Sequence, residues 1–247
     1  MMMRTPVEFS ETADIETSSD DYAGRFAGNV GKWFLQVQER ATLRMLAPYP
    51  GATVLDVGGG HGQIAGTLIQ KNFDVTVVGS APICAQRIQP YIDARRCTFD
   101  VVDFLELPYP DKSFGVVISY RLLPHVTAWK PFLAELCRVA EKAVIVDFPE
   151  VESINALAPH LFHLKKSLEG NTRTYTSFRR ADLLKTFREQ CFIYGEHYAE
   201  FFAPMVVHRK LQTPAISRVV EGMNRSLGLT QRWGSPVILK VIRSSVN

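Results

Sequence analysis

Apolar positions recur along this chain in two rhythms. Val30, Trp33, Phe34, Val37, Ala41 and Met45 fall three and four residues apart, which predicts an amphipathic helix. Pro48, Pro50 and Gly51 stop it. Upstream, Ser18, Ser19, Asp20 and Asp21 offer caps for a helix bearing Tyr22, Arg25 and Phe26. From residue 52 the rhythm changes. Short apolar runs predict strands at 52–57, 73–78, 97–102, 114–119 and 143–148, with helices at 63–70, near 82–89 and at 131–139. Near-continuous apolar runs suit parallel strands covered on both faces. The regular alternation predicts a doubly wound α/β fold.

The last third is less regular. Residues 150–170 read as helix and loop, 180–190 as an amphipathic helix, 191–202 as a long strand, 204–228 as a basic helix and 236–243 as a final strand. Residues 1–19 are polar, acidic and aperiodic, and read as a flexible tail. The organisation is then one domain over 20–247, with a helical cap at 20–50 and lid-like insertions at 150–178 and 203–235.

Composition narrows the class. The chain has 247 residues, 46% of them hydrophobic and 21% charged, which is ordinary globular usage and enough to bury a core. A net charge of +3 is too weak to imply nucleic acid. Its distribution is uneven: acids crowd the start, and Arg209, Lys210, Arg218, Arg225, Arg232, Lys240 and Arg243 gather late. Solvated surface is the plain reading of both; an anionic partner is the minority one. Cys84, Cys97, Cys137 and Cys191 lie far apart without a C-x-x-C pair, which predicts buried thiols in a reducing cytoplasm rather than a zinc site or disulfides. No signal peptide and no membrane span is visible.

The densest chemistry is Asp56-Val57-Gly58-Gly59-Gly60-His61-Gly62, which follows a strand and opens a helix. Glycines there permit a tight turn and close approach of a ligand, and a helix N-terminus presents free amides. Two cofactors compete on these residues. Gly60-His61-Gly62-Gln63-Ile64-Ala65 satisfies the loose dinucleotide pattern G-x-G-x-x-A. That pattern wants an acid closing the second strand, where this chain has Gly79-Ser80; an NADP site would have only Arg87 nearby. No Tyr-x-x-x-Lys reductase pair is visible.

The other pattern, an acid followed by G-x-G-x-G, resembles the class I S-adenosylmethionine (SAM)-dependent methyltransferases, with Asp56, Gly58, Gly60 and Gly62 matching in place. The likeness extends through Val102-Asp103-Phe104, the turn from Leu107 to Phe114, Leu123-Pro124-His125-Val126 and the stretch from Phe132 to Val139. These are similar to the small-molecule branch that includes ubiquinone and menaquinone biosynthesis methyltransferases. The resemblance implies a seven-stranded, mostly parallel sheet with an antiparallel last strand. It implies SAM as cofactor, S-adenosylhomocysteine (SAH) as product and a small-molecule acceptor.

It also implies a site. The amides of Gly58, Gly59, Gly60 and Gly62 hold the methionine end, with Asp56 on its ammonium side. Asp103 and the Phe104 amide take the adenine, Tyr120 lies by the methionine moiety, and Tyr22 and Arg25 close over it. The family's ribose-binding acid is missing at Gly79, where the Ser80 hydroxyl or a water replaces it.

His125, just past the fourth strand, is the candidate base for a hydroxyl acceptor, with a structural histidine as the plain alternative. Arg121 is either a substrate anchor or a helix cap. Phe162, Tyr175 and Phe178 are candidates for an apolar acceptor pocket, with Lys165, Lys166 and Arg173 at its rim. His160 and His163 lack a third ligand, so no metal is expected. The apolar residues of 203–235 predict core packing first, and a homodimer face or pocket wall second. An NADP-dependent oxidoreductase and a non-catalytic SAM-binding protein stand as alternatives.

Overall fold

The computed structural model describes residues 9–153 and 175–245. Strands β1 (Thr53–Val57), β2 (Asp74–Gly79), β3 (Thr98–Val101), β4 (Phe114–Ser119), β5 (Ala140–Phe148), β6 (Phe192–Ala199) and β7 (Val237–Arg243) form one seven-stranded sheet. Their order is β3-β2-β1-β4-β5-β7-β6. β7 runs antiparallel between β5 and β6, and the other pairs are parallel. The sheet is therefore the Rossmann-like arrangement expected. Its order reverses between β1 and β4, where ligands of such sheets settle at the strands' carboxyl ends.

Alternate strand residues serve opposite faces, as the two-residue period requires. Val54, Val116, Ala143 and Ile145 pack beneath helices α3 (Gly28–Leu46) and α4 (Ala65–Gln70). Leu55, Val57, Val117, Val144 and Val146 pack against α6 (Trp129–Val139) and α7 (Arg180–Glu189), led by Phe132, Leu136 and Phe187. α5 (Gln89–Asp93) links β2 to β3. A third cluster belongs to the cap: Tyr22, Phe26, Trp33, Phe34 and Phe201 pack together, Phe34 meeting Phe201 edge-on at 5.0 Å.

Several expectations shift. The expected tail contains α1 (Ala13–Thr17), whose Ala13 joins the main core, and leads into α2 (Asp20–Gly24), capped by the Ser19 hydroxyl. The basic helix expected over 204–228 is two, α8 (Met205–Leu211) and α9 (Pro214–Ser226), and α10 (Leu229–Trp233) follows them. Gln212 is left-handed and Pro214 has no amide to continue the ladder, so the helix breaks there. α9 is also inverted relative to the expected core packing. It buries Ser217 and Glu221, while Val219, Met223 and Leu227 are 63%, 63% and 71% exposed. Of the cysteines, Cys191 is exposed rather than buried. Among the described residues no helix is long and apolar enough to cross a membrane.

The cap depends on Phe34, which is fully buried. Phe34→Ala is expected to lower stability by about 3–5 kcal/mol. Urea unfolding should show a lower midpoint with an unchanged slope.

Candidate functional site

β1 ends at Val57 and the chain turns through Gly58 (φ 74°), a single 3₁₀ turn over Gly59–His61, and Gly62 (φ 68°). Positive φ at both ends explains two of the glycines. The middle two are explained by space. A side chain on Gly59 would overlap the Asp56 carboxyl, and one on Gly60 would lie 2.7 Å from Ser18 Oγ.

Asp56 is the most telling group here. It is fully buried, neither of its oxygens has a hydrogen-bond partner, and burial pushes its carboxyl up to about 7. A buried carboxylate without donors is costly unless a cation or proton meets it. His61, on the same loop, is fixed by the backbone: Nδ1 accepts from the Gln63 amide at 3.1 Å and Nε2 faces the Tyr120 carbonyl at 3.4 Å. Burial, then Arg121, lowers its imidazole to about 4, so it stays neutral.

At the far end of the crevice, Asp103 caps its own turn by accepting from the Leu105 amide at 2.8 Å, and Phe104 is wholly buried against Phe132. Gly79 and Ser80 close β2. The carboxylate there comes from Asp14 of α1: the Ser80 amide donates to it at 2.8 Å and the Ser80 hydroxyl at 2.5 Å. The Ser80 hydroxyl, expected to serve a ribose, is thus engaged within the chain.

Three strand ends meet on the other side of the glycine loop. Arg121 follows β4 with φ 59°, a conformation seldom adopted by a non-glycine residue. Its amide donates to Asp147 Oδ1 at 2.6 Å, and its guanidinium reaches Asp147 Oδ2 at 3.2 Å and Gln38 Oε1 at 2.8 Å. Glu200 lies 3.7 Å from the same guanidinium, which also stacks on Phe26 at 5.6 Å. Two buried acids thus share this arginine. Burial raises both carboxyls, partly offset by Arg121, and Glu200 reaches about 7 with neither oxygen hydrogen-bonded. His125 lies near enough to bear on Asp147, and Tyr22 near enough to feel Arg121.

Sequence-derived candidates divide accordingly. Asp56, the glycines, Tyr22, Arg121 and His125 gather along the carboxyl ends of β1, β4 and β5. Tyr120 sends its side chain elsewhere, into the cluster beneath α3, where its hydroxyl bonds Thr42 at 2.7 Å; only its carbonyl reaches the loop. Arg25 stacks on Tyr22 and lies 4.0 Å from Glu16, largely at the surface. Arg87, the NADP candidate, pairs with Asp20 and donates to Ser18 and Ser19 carbonyls. Tyr175 is half-buried, and the next amide, Thr176, donates to Pro124 beside His125 at 2.8 Å. Phe178 is core, edge-on to Trp129. Phe162, Arg173, His160, His163, Lys165 and Lys166 lie outside the described residues. Among the described residues no group of three potential ligands could hold a metal.

Asp147, Glu200 and Asp14 were missed. Asp147 and Glu200 had a usable signal: each is an acid at the end of a strand, on the edge where Asp56 lies near the end of β1. Asp14 had none beyond the unfilled acid position at Gly79.

The fold is a Rossmann-like α/β sheet with its glycine loop at the switch of strand order. Residues 54–143 match the family model described as a methyltransferase domain. The chain is 27% identical to the demethylmenaquinone methyltransferase of Tropheryma whipplei (strain Twist) over 197 residues, 71% of this chain and 80% of the relative. It is 36% identical over 102 residues to the 2-methyl-6-phytyl-1,4-hydroquinone methyltransferase of Synechocystis, 39% of this chain and 31% of that one. Among solved structures, the SAH-bound magnesium protoporphyrin IX methyltransferase of Synechocystis PCC 6803 superposes with a TM-score of 0.67 at 16% identity, covering 94% of this chain and 98% of the other. Together these matches support SAM-dependent methyl transfer to a small molecule, with SAM as the cofactor.

The residues fit that cofactor. The orphaned Asp56 suits a ligand that carries positive charge.

Asp56 also sets a pH dependence. Its folded carboxyl titrates near 7 and its unfolded one near 3.8, so the folded state holds the extra proton between them. Stability therefore falls as pH rises from about 4 to 7 and is level above. Asp56→Asn is expected to shrink this fall by on the order of 4 kcal/mol. Urea unfolding at pH 5 and pH 8 reads the difference directly.

Proposed function

We propose that the acceptor is a hydroxylated aromatic small molecule held at the ends of β4, β5 and β6 under the aromatic cap. The observation that carries this is the charge imbalance there. Asp147 and Glu200 face a single shared guanidinium, leaving one buried carboxylate in excess. A protic group on the acceptor satisfies it. The rings of Tyr22, Phe26, Trp33, Phe34 and Phe201 give the apolar surround. Two relatives support the class, since their names specify demethylmenaquinone and a hydroquinone as what they methylate.

Bound SAM supplies an electrophilic methyl on a sulfonium. The chain supplies position and charge. Amides of Gly58–Gly62 hold the methionine end with Asp56 toward its ammonium, and Asp103 and the Phe104 amide take the adenine. Glu200 accepts the proton from the acceptor hydroxyl, and Arg121 steadies the oxyanion left behind. Asp147 keeps Arg121 aimed, and His125 positions Asp147 rather than acting as the base. We place the enzyme in the cytoplasm, acting on free small molecules rather than nucleic acid. The exposed apolar stripe of Ile216, Val219, Met223 and Leu227 supports a homodimer.

SAH release from SAM should be found with substituted phenols or hydroquinones as acceptors. Wild-type kcat is expected to rise with pH and level off above about 7, where Glu200 is ionised. Glu200→Gln should lower kcat roughly 10²–10⁴-fold and abolish that rise, with SAH binding by calorimetry unchanged. His125→Asn should keep the rise. Loss of the rise in His125→Asn and its survival in Glu200→Gln would reverse the assignment of the base.

A further inference from the structure

The acidic N-terminal segment is held down by its own carboxylates. Glu11 Oε1 accepts from the Thr127 and Ala128 amides at 2.9 and 2.8 Å, at the approach to α6. Asp14 takes both the amide and the hydroxyl of Ser80. Between them Ala13 packs into the cluster that contains Val57, Val78 and Phe104. Ser18 sits over Gly60, and Arg87 from beyond β2 donates to the Ser18 carbonyl at 3.0 Å. The segment therefore lies across the carboxyl ends of β1 and β2, the ground the glycine loop opens onto.

Two consequences distinguish this seat from an ordinary packed terminus. With the segment in place, Gly58–His61, Ser80 and Phe104 are all buried, while Gly62 and Asp103 at the two ends of the crevice stay partly exposed. The seated segment also offers no donor to Asp56, whose oxygens stay without partners. The chain satisfies the β2 end and the α6 approach from within, and leaves unsatisfied the group that a cationic ligand would meet.

We propose that residues 11–18 are a tethered plug that competes with SAM for the crevice, Asp14 holding Ser80 until the cofactor displaces it. This rests on the SAM reading above. The exchange is between two partly satisfied states. Seated, Asp14 and Glu11 have their donors and Asp56 has none. Displaced, the two acids return to water while Asp56 gains a counter-charge. The apparent affinity for the cofactor is then its intrinsic affinity reduced by the fraction of molecules with the plug out. Weakening the plug raises that fraction.

The test is calorimetric titration of the full chain with SAH, in wild type, Asp14→Ala and Glu11→Ala, with hydrogen exchange read on the segment. Each change removes two hydrogen bonds to a carboxylate, so SAH should bind on the order of tenfold tighter in either variant. Saturating SAH should speed exchange of the wild-type Ser18 and Ser19 amides, which bond Asp14 and Glu16 carbonyls in the seated form. Unchanged or weaker binding in both variants overturns the plug, as does slower exchange of those amides with SAH, which would make the segment a lid over the ligand. If Asp14→Ala does not fold, Glu11→Ala and the wild-type exchange decide. Wild type and variants all silent toward SAH would sink the SAM reading itself. Normal wild-type binding with indifferent variants would sink only the plug.

Discussion

Arg121 ties the carboxyl edge of the sheet together. Its main-chain amide and its guanidinium both address Asp147 at the end of β5, and the same side chain reaches Gln38 on α3, Glu200 beyond β6 and the ring of Phe26 in the cap. The positive φ that lets one residue do this is a strain held by the bonds around it. Removing one partner of such a buried group costs about 3–5 kcal/mol, because the other charge remains buried and unpaired. The cap, the sheet edge and the proposed acceptor site are thus one electrostatic unit. The cap's aromatic cluster closes over it because Phe201, which follows Glu200 in the chain, packs on Trp33 and Phe34.

The same edge carries unsettled charge on both sides of the glycine loop. Asp56 and Glu200 are both pushed to about 7 by burial, and neither has a hydrogen bond to hold it ionised. In a structural core this would be a defect, since an apolar residue of similar size would be cheaper. Both groups lie at the carboxyl edge of the sheet, where the proposed function gives one a cation to meet and the other a proton to accept. Stability is given up at the edge and recovered in the two apolar layers behind it, where alternate residues of every central strand are wholly buried.

What the sequence made legible follows from how local each demand is. The glycine loop announces itself because left-handed φ at Gly58 and Gly62 is required by the turn itself. The parallel sheet announces itself because strands covered on both faces must be apolar throughout. Asp147 and Glu200 read only as acids at strand ends, since their meaning lies in sharing Arg121, a contact formed across the sheet. Asp14 was hidden more deeply. An acidic, aperiodic stretch reads as solvated until Ser80 and the approach to α6 are seen to offer it donors. The side chain of Tyr120 went to the opposite layer because strand periodicity, continued one residue past β4, assigns it there with Ile118.

α9 shows why periodicity alone misjudged the insertion. Glu221, on its inner side, accepts from the amides of Phe202 and Ala203 at 2.8 and 2.9 Å and pairs with His208 at 2.9 Å. Those bonds shape the turn that delivers Phe201 and His208 to Trp33. Turning α9 to bury Val219 and Met223 would gain roughly 1.5–3 kcal/mol for each side chain. It would also strip a carboxylate from two amides and an imidazole, at a cost of about 1–3 kcal/mol for each donor left buried without a partner. The two are close in size, so the cap's need for a defined turn decides which side faces inward. The apolar side is left toward solvent, where a second copy of the chain would recover its burial without disturbing Glu221.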